Sequence, residues 1–462
     1  MAAPAAALAT NMVLAWTLSR ETNGIIQKTF IVVQVATLAG AFGIQTSLYY
    51  FLPRIDPGAK RGFITQSLAI LGAIGTACSA IIYLAADPIA QWMHEPAMVP
   101  ALRAGAITAV AALTSMIADP LFIAEKRAWL GAANAVGCGA LQVLLVALAL
   151  KLGLGMPAVF LAVAVASLVR LLSGAAFAAT ALPPGRALNW NRALFAQQVA
   201  YILPIGLISA VDTISSWLDR TLVSRFYDSA DLAVYTYGAV EIPFISIVIG
   251  SIAPVLLPHF SARLREGRRD EVLEVWHRAT RKGAAILFGM FFLFLCLAPE
   301  FLTALYSHRY RDSALYFRIY LALLPFRVVA YMPMLFALGR NHYVMVGAVG
   351  EILLNLVVSL FLILKTPLGM AGAACGTVIS TLCQAAFYLS GIRAGLGTTW
   401  SGLLPWRPLA RDFAWALGWF APLVLLKFAE MPSILSLAAG GGVYAAYSWF
   451  VILPRLRSAA VM

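Results

Sequence analysis

Arg170, Arg318, Arg327, Asp119, Asp212, Glu241 and Glu351 each stand inside a long apolar run, where a charge needs a reason. Near the centre of a bilayer such a group costs at least roughly 2.5 to 3.5 kcal/mol on insertion scales, so it must face water, an opposite charge or a substrate. The planar donors of arginine can hold two phosphate oxygens at once, which makes Arg327, Arg170 and Arg318 candidate substrate-binding residues for an anionic group. Arg327 and Arg170 are deep, whereas Arg318 lies about one turn from a span end and can snorkel. Acids in the same setting can exchange protons or hold Na⁺, the ion-coupling role open to Asp212, Glu241, Glu351 and Asp119. Ser209, Asp212, Ser216 and Asp219 recur at helical spacing, as do Glu351, Asn355 and Ser359, so each set forms a polar stripe. Asn355 joins the substrate-binding candidates on that ground. Glu241 and Asp119 stand close before Pro243 and Pro120, and a kinked helix often borders a cavity. The alternative for each residue taken alone is an ion pair between helices with no ligand.

Other chemistries lack their residues. The five cysteines form no CxxC pair and the five histidines no HxxxH or HExxH, so neither a metal site nor a cofactor is expected. No GxxxxGK[ST] is present, so uphill work must draw on an ion gradient, a substrate gradient or a partner.

The elements that must position these residues are transmembrane helices. The 462-residue chain is 61% apolar and only 11% charged, with a net charge of +13, and its mean hydropathy is +0.85. Apolar runs that can cross about 30 Å of hydrocarbon recur fourteen times, at 3–18, 30–52, 63–86, 102–123, 129–150, 157–181, 198–217, 232–257, 284–305, 314–338, 343–364, 368–392, 413–429 and 433–453. No basic flank precedes the first run, which argues against a cleaved signal peptide. The connections are too short to fold a catalytic domain, so the chain is expected not to be an enzyme. With the N-terminus inside, twenty of the 33 basic residues fall on the cytoplasmic side and ten outside, a bias that places both termini in the cytoplasm. The net charge is then a topology signal and nucleic acid is an unnecessary partner. The basic loop at 263–282 sets Val272, Leu273 and Trp276 on one helical face, which suits a helix lying on anionic lipid headgroups.

The chain also repeats itself. At an offset of 214 residues Val143, Leu150, Lys151, Leu154, Gly155, Met156 and Leu168 match Val357, Leu364, Lys365, Leu368, Gly369, Met370 and Leu382. At an offset of 205, Ser19-Arg20 matches Ser224-Arg225 and Leu52-Pro53 matches Leu257-Pro258, so one loop insertion reconciles the two registers. Six spans per repeat implies two bundles of like orientation, related by a pseudo-twofold along the membrane normal, that rock to expose a site between them. The expected all-α polytopic organisation is an N-terminal bundle at 1–182, a linker at 183–197, a second bundle at 198–392, a linker at 393–412, and two extra helices with a basic tail at 413–462. Small-residue ladders, Gly131-Ala135-Gly139 and Gly372-Gly376-Ser380-Gln384, suit close helix packing.

The strings LDRTLVSRFYDSADLAVYTYGAVEIPF, PVLLPHFS, SALYFRIYLALLPFRVV, FALGRNHYVMVGAV and LGMAGAACGTVIS resemble the polysaccharide (O-antigen type) flippases of the multidrug/oligosaccharidyl-lipid/polysaccharide exporter superfamily. The likeness covers most of the chain and is strongest from Leu218 to Ser380. It implies a bacterial inner-membrane protein that moves a polyprenyl-pyrophosphate-linked oligosaccharide from the cytoplasmic to the periplasmic leaflet; the acids above make H⁺ or Na⁺ the expected coupling ion, and glycan assembly enzymes are expected contacts. In one respect the chain departs from that family, which is associated with a cationic cavity: here three intramembrane arginines sit among four acids. A multidrug cation antiporter of the same superfamily would use those acids differently. A membrane glycan polymerase or ligase would need a larger outer loop than any present.

Overall fold

The computed structural model describes residues 2–183, 190–240, 256–424 and 432–457, and no strand occurs among them. Contacts group the chain into two compact units, Met1–Ala233 and Val234–Met462. The first unit holds α1 (Ala2–Thr17), α2 (Arg20–Ala41), α3 (Ile44–Phe51), α4 (Pro57–Leu84), α5 (Ala86–Trp92), α6 (Val99–Ser115), α7 (Ala118–Ala124), α8 (Ala128–Lys151), α9 (Met156–Ala181) and α10 (Arg192–Phe226). The unit boundary falls inside α11 (Ser229–Gly238). The second unit continues with α12 (256–265), α13 (Arg269–Tyr306), α14 (Ser313–Leu321), α15 (Tyr331–Ala337), α16 (Asn341–Lys365), α17 (Met370–Leu396), α18 (Trp400–Leu403), α19 (Trp406–Phe420) and α20 (Ser433–Tyr447).

Among the described residues, ten helical segments are long and apolar enough to cross a membrane, and each answers to one of the fourteen expected runs. The other four differ for local reasons. The first run is α1, whose sixteen residues span only about 24 Å. The eighth begins as α11 and enters 241–255, outside the described residues, and the thirteenth begins as α19 and enters 425–431, also outside them. The tenth run is not one helix. Between α14 and α15 the chain passes through turns at 322–330.

The second run is also broken, because Phe42 and Gly43 both adopt left-handed φ, at 42° and 72°. That bend is filled from α10: a Cβ at Gly206 would lie 2.6 Å from Phe42 Cγ, so only glycine lets α10 come so close. Gln198 of α10 is buried and donates from Nε2 to Ser47 Oγ and Ser67 Oγ, both at 2.9 Å. These contacts tie α10 to α3 and α4, so the helix that the repeat sets at the head of the second bundle packs within the first unit.

The expectation for the basic loop is corrected. Residues 269–282 form the first part of α13, and Val272 and Trp276 are buried in protein. Trp276 Nε1 donates to the Ala330 carbonyl at 3.2 Å, and a ring nitrogen of His277 lies 2.9 Å from the Leu403 carbonyl. The face read as lying on lipid headgroups is therefore covered by the 322–330 turns and by α18. The periodicity was real, but another part of the chain met it first.

Candidate functional site in two intramembrane polar clusters

In the first unit, polar side chains gather where α3, α7, α8 and α9 pack together. Pro120 falls in the first turn of α7, where its missing N–H is not needed, so a new helix can start beneath the turn at 116–117. This sets Asp119 against the middle of α9, where its Oδ2 pairs with Arg170 Nη2. The two are 51 residues apart in sequence. Both side chains keep an exposed edge, 22% for Arg170 and 27% for Asp119. Even so, Arg170 Nε and Asp119 Oδ1 are buried with no hydrogen-bond partner. Asn134 of α8 accepts from Ser173 Oγ at 2.8 Å, while its Nδ2 is buried without a partner. Each such orphan costs about 1–3 kcal/mol unless something meets it. Tyr49 of α3 is close enough to feel the charges of both Asp119 and Arg170. Pairing changes what Arg170 can offer an anion, since its charge is already answered by a protein acid.

In the second unit α16 and α17 bring two sequence stripes face to face. Ser380 Oγ donates to Glu351 Oε1 at 3.2 Å, Ser359 Oγ to Asn355 Oδ1 at 2.8 Å, and Gln384 Nε2 to the Gly347 carbonyl at 3.1 Å. Gly376 is what permits this approach, because a Cβ there would lie 2.9 Å from Ser359 Cα. The structure divides the stripe. Asn355 and Ser359 are sealed between the helices, whereas Glu351 lines a cavity of about 190 Å³ with Gly347, Gly350, Ser380 and Gln384.

Arg327 lies in the break of the tenth run, half-buried, with its backbone N–H bonded to the carbonyls of Leu323 and Leu324 at 3.1 and 3.2 Å. Side chains satisfy the rest of the break: Tyr331 Oη donates to the Phe326 carbonyl at 2.9 Å, and Trp276 to that of Ala330. Non-helical backbone at membrane depth is tolerated only inside protein or beside a water-filled cavity. Arg318 has a different setting. Its Nε donates to the Leu295 carbonyl at 3.2 Å, the group left without an intrahelical donor by Pro299. Asp212 is exposed on α10, while Asp219 on the same stripe is buried. Glu241 lies outside the described residues.

A family model described as Polysaccharide biosynthesis protein matches residues 13–315. The chain belongs to that family. Solved structures agree on the fold. The chain is similar to the lipid II flippase MurJ in its inward closed conformation, at TM-score 0.73 and 14% identity, over 96% of this chain and 95% of that one. It is similar to an inward-facing multidrug resistance MATE family transporter of the MOP superfamily, at TM-score 0.70 and 16% identity, over 85% and 95% of the two chains. A MOP superfamily transporter from Pyrococcus furiosus follows at TM-score 0.61 and 15% identity, covering 86% of this chain and 93% of that one. At such identities the likeness establishes a shared multi-pass helical fold. No curated protein matches the sequence.

This family member also carries charges that hydropathy did not single out. Lys28 is 1% exposed on α2 and donates from Nζ to the Met93 carbonyl at 3.0 Å, with Glu95 and Asp228 close enough to attract it. Glu95 in turn accepts from Ser229 Oγ, and Arg225 meets His94. An apolar run that starts at residue 30 leaves Lys28 in a loop. Ser19, whose side chain accepts from the Thr22 N–H at 3.2 Å, was the signal that the helix starts earlier.

Proposed function

We propose that this protein moves a polyprenyl-pyrophosphate-linked oligosaccharide from the cytoplasmic to the periplasmic leaflet of a bacterial inner membrane by alternating access. The observation that carries the reading is Arg327, an arginine held in a helix break at membrane depth in a chain of the polysaccharide biosynthesis family. Broken helices are where membrane transporters build sites, because unwound backbone is stable there only beside a hydrated path or within protein. Sugar and pyrophosphate are too polar to cross hydrocarbon unaided. The headgroup would follow the intramembrane polar groups while the polyprenyl tail stays in lipid, and Arg327 would hold the pyrophosphate through two donors at once. Glu351, at the edge of its cavity, and Asp212, exposed on α10, are the coupling acids for H⁺ or Na⁺.

The test is surface glycan in a flippase-deficient host. Arg327→Ala should abolish it and Arg327→Lys should retain only part, because a point charge does not reproduce bidentate contact. Wild-type glycan from Arg327→Ala would end this role. If neutralising Asp212 or Glu351 as well restores full activity, Arg327 serves an ion pair and not the substrate. A second reading, export of lipophilic cations, draws on the MATE-like fold and on the acid at the Glu351 cavity. It requires resistance to such cations with surface glycan unchanged.

A further inference from the structure

The cluster around Asp119 has the wrong charge for pyrophosphate and too many unused groups for a plain ion pair. Asp119 and Arg170 cancel, so an incoming phosphate would meet a carboxylate as readily as a guanidinium. Three groups are nonetheless unmet: Asp119 Oδ1 can accept, while Arg170 Nε and Asn134 Nδ2 can donate. Each belongs to a side chain that is not itself buried, and turning the Asp119 carboxylate or the Asn134 amide about its last torsion exchanges its two terminal atoms, which is how an unmet one can face a ligand. Tyr49, exposed beside them on α3, adds an aromatic face and a hydroxyl.

Alternating acceptors and donors around a neutral centre, with an aromatic ring at the side, match a pyranose. Each of its hydroxyls both donates and accepts, and its C–H face packs on a ring. The repeat supplies a further argument. At the 214 offset Asp119, Asn134, Arg170 and Ser173 correspond to Pro333, Ala348, Gln384 and Phe387, so the duplicated scaffold does not require this cluster.

We propose that Asp119, Asn134 and Arg170, with Tyr49, form a saccharide subsite that takes neighbouring hydroxyls of a neutral sugar ring, while the pyrophosphate is engaged elsewhere. The inference rests on the transport reading above and names which part of that substrate meets the first unit.

Two probes separate the possibilities: undecaprenyl pyrophosphate carrying a neutral disaccharide, and the same lipid without sugar. Binding is measured on the full-length protein in nanodiscs. Wild type should bind the sugar-bearing lipid about tenfold more tightly than the bare one. Asp119→Asn and, separately, Asn134→Leu should each remove that preference, and Asn134→Leu should leave bare-lipid affinity unchanged. Asn134→Leu removes a free donor without touching the ion pair, so its result stands even if Asp119→Asn fails to fold. Equal losses on both lipids would show a structural or anion-binding role and overturn the subsite. Unchanged preference in both variants would overturn it too, leaving water as the partner of the orphan atoms. If wild type binds both lipids equally, the subsite fails while the transport reading survives; if it binds neither, both fail.

Discussion

Arg318 shows how one residue can look functional in sequence and be occupied by backbone chemistry. Pro299 has no N–H, so the carbonyl four residues earlier, on Leu295, loses its helical donor, and Leu297 departs from helical geometry at φ −105°, ψ 20°. Arg318 Nε donates to that carbonyl at 3.2 Å. Arg318→Met should therefore leave a carbonyl unmet at membrane depth and destabilise the fold by about 1–3 kcal/mol. Pro299→Ala restores the local donor, so the loss from Arg318→Met should shrink in the Pro299→Ala background. Chemical unfolding of the four proteins in detergent gives the coupling directly. Strictly additive losses would mean that the arginine serves something other than the orphaned carbonyl. The orphan was legible from Pro299 and the i−4 rule; its partner, nineteen residues past the proline, was not. Asp119 and Arg170 make the same point. Each was visible as a charge in an apolar run, but hydropathy carries no information on which distant charge answers it.

Helix α16 shows what periodicity does reveal. Glu351, Asn355 and Ser359 could be set on one face from spacing alone, and the small-residue ladder Gly372, Gly376, Ser380, Gln384 is the surface they meet. Both are local patterns, repeated every turn, so they survive in sequence. What spacing does not tell is which part of a stripe is wet, and here Glu351 reaches a cavity while Asn355 and Ser359 serve the helix contact. Breaks are also hidden, because a hydropathy window averages across Phe42-Gly43 and across 322–330. The close approach of α16 and α17 makes a sharp forecast. Gly376→Ala puts a methyl group 2.9 Å from the backbone of Ser359, so it should cost about 1–3 kcal/mol by pushing the helices apart. Gly137→Ala in α8 meets nothing within 4 Å and should be neutral or stabilising by up to about 1 kcal/mol. Melting of the two variants in detergent compares them, and equal behaviour would remove close packing as the reason for Gly376.

At the scale of the whole chain, the orientation in the membrane rests on charge and on one long helix. α13 has 38 residues, about 57 Å at 1.5 Å per residue, roughly twice the hydrocarbon thickness. Its Arg269 end must therefore stand in water, and that end carries Arg269, Arg278, Arg281 and Lys282. Buried Asp412 of α19 holds this end to the chain's C-terminal part, pairing with Arg455 Nη2 at 2.8 Å and with Arg281 Nε at 3.8 Å. The start of α13, the start of α19 and Arg455 thus lie on one side of the bilayer. The excess of basic residues makes the cytoplasm the expected side. In a background with the five native cysteines replaced, Glu274→Cys, which is exposed, should react with an impermeant maleimide only after the membrane is opened. Leu154→Cys, exposed in the turn between α8 and α9, should react in intact cells. The reverse pattern would invert the topology and put the Asp412 network outside. Reaction of both from the same side would break the odd count of crossings that sets residues 154 and 274 on opposite faces, and with it the pairing of spans on which the six-helix repeat depends.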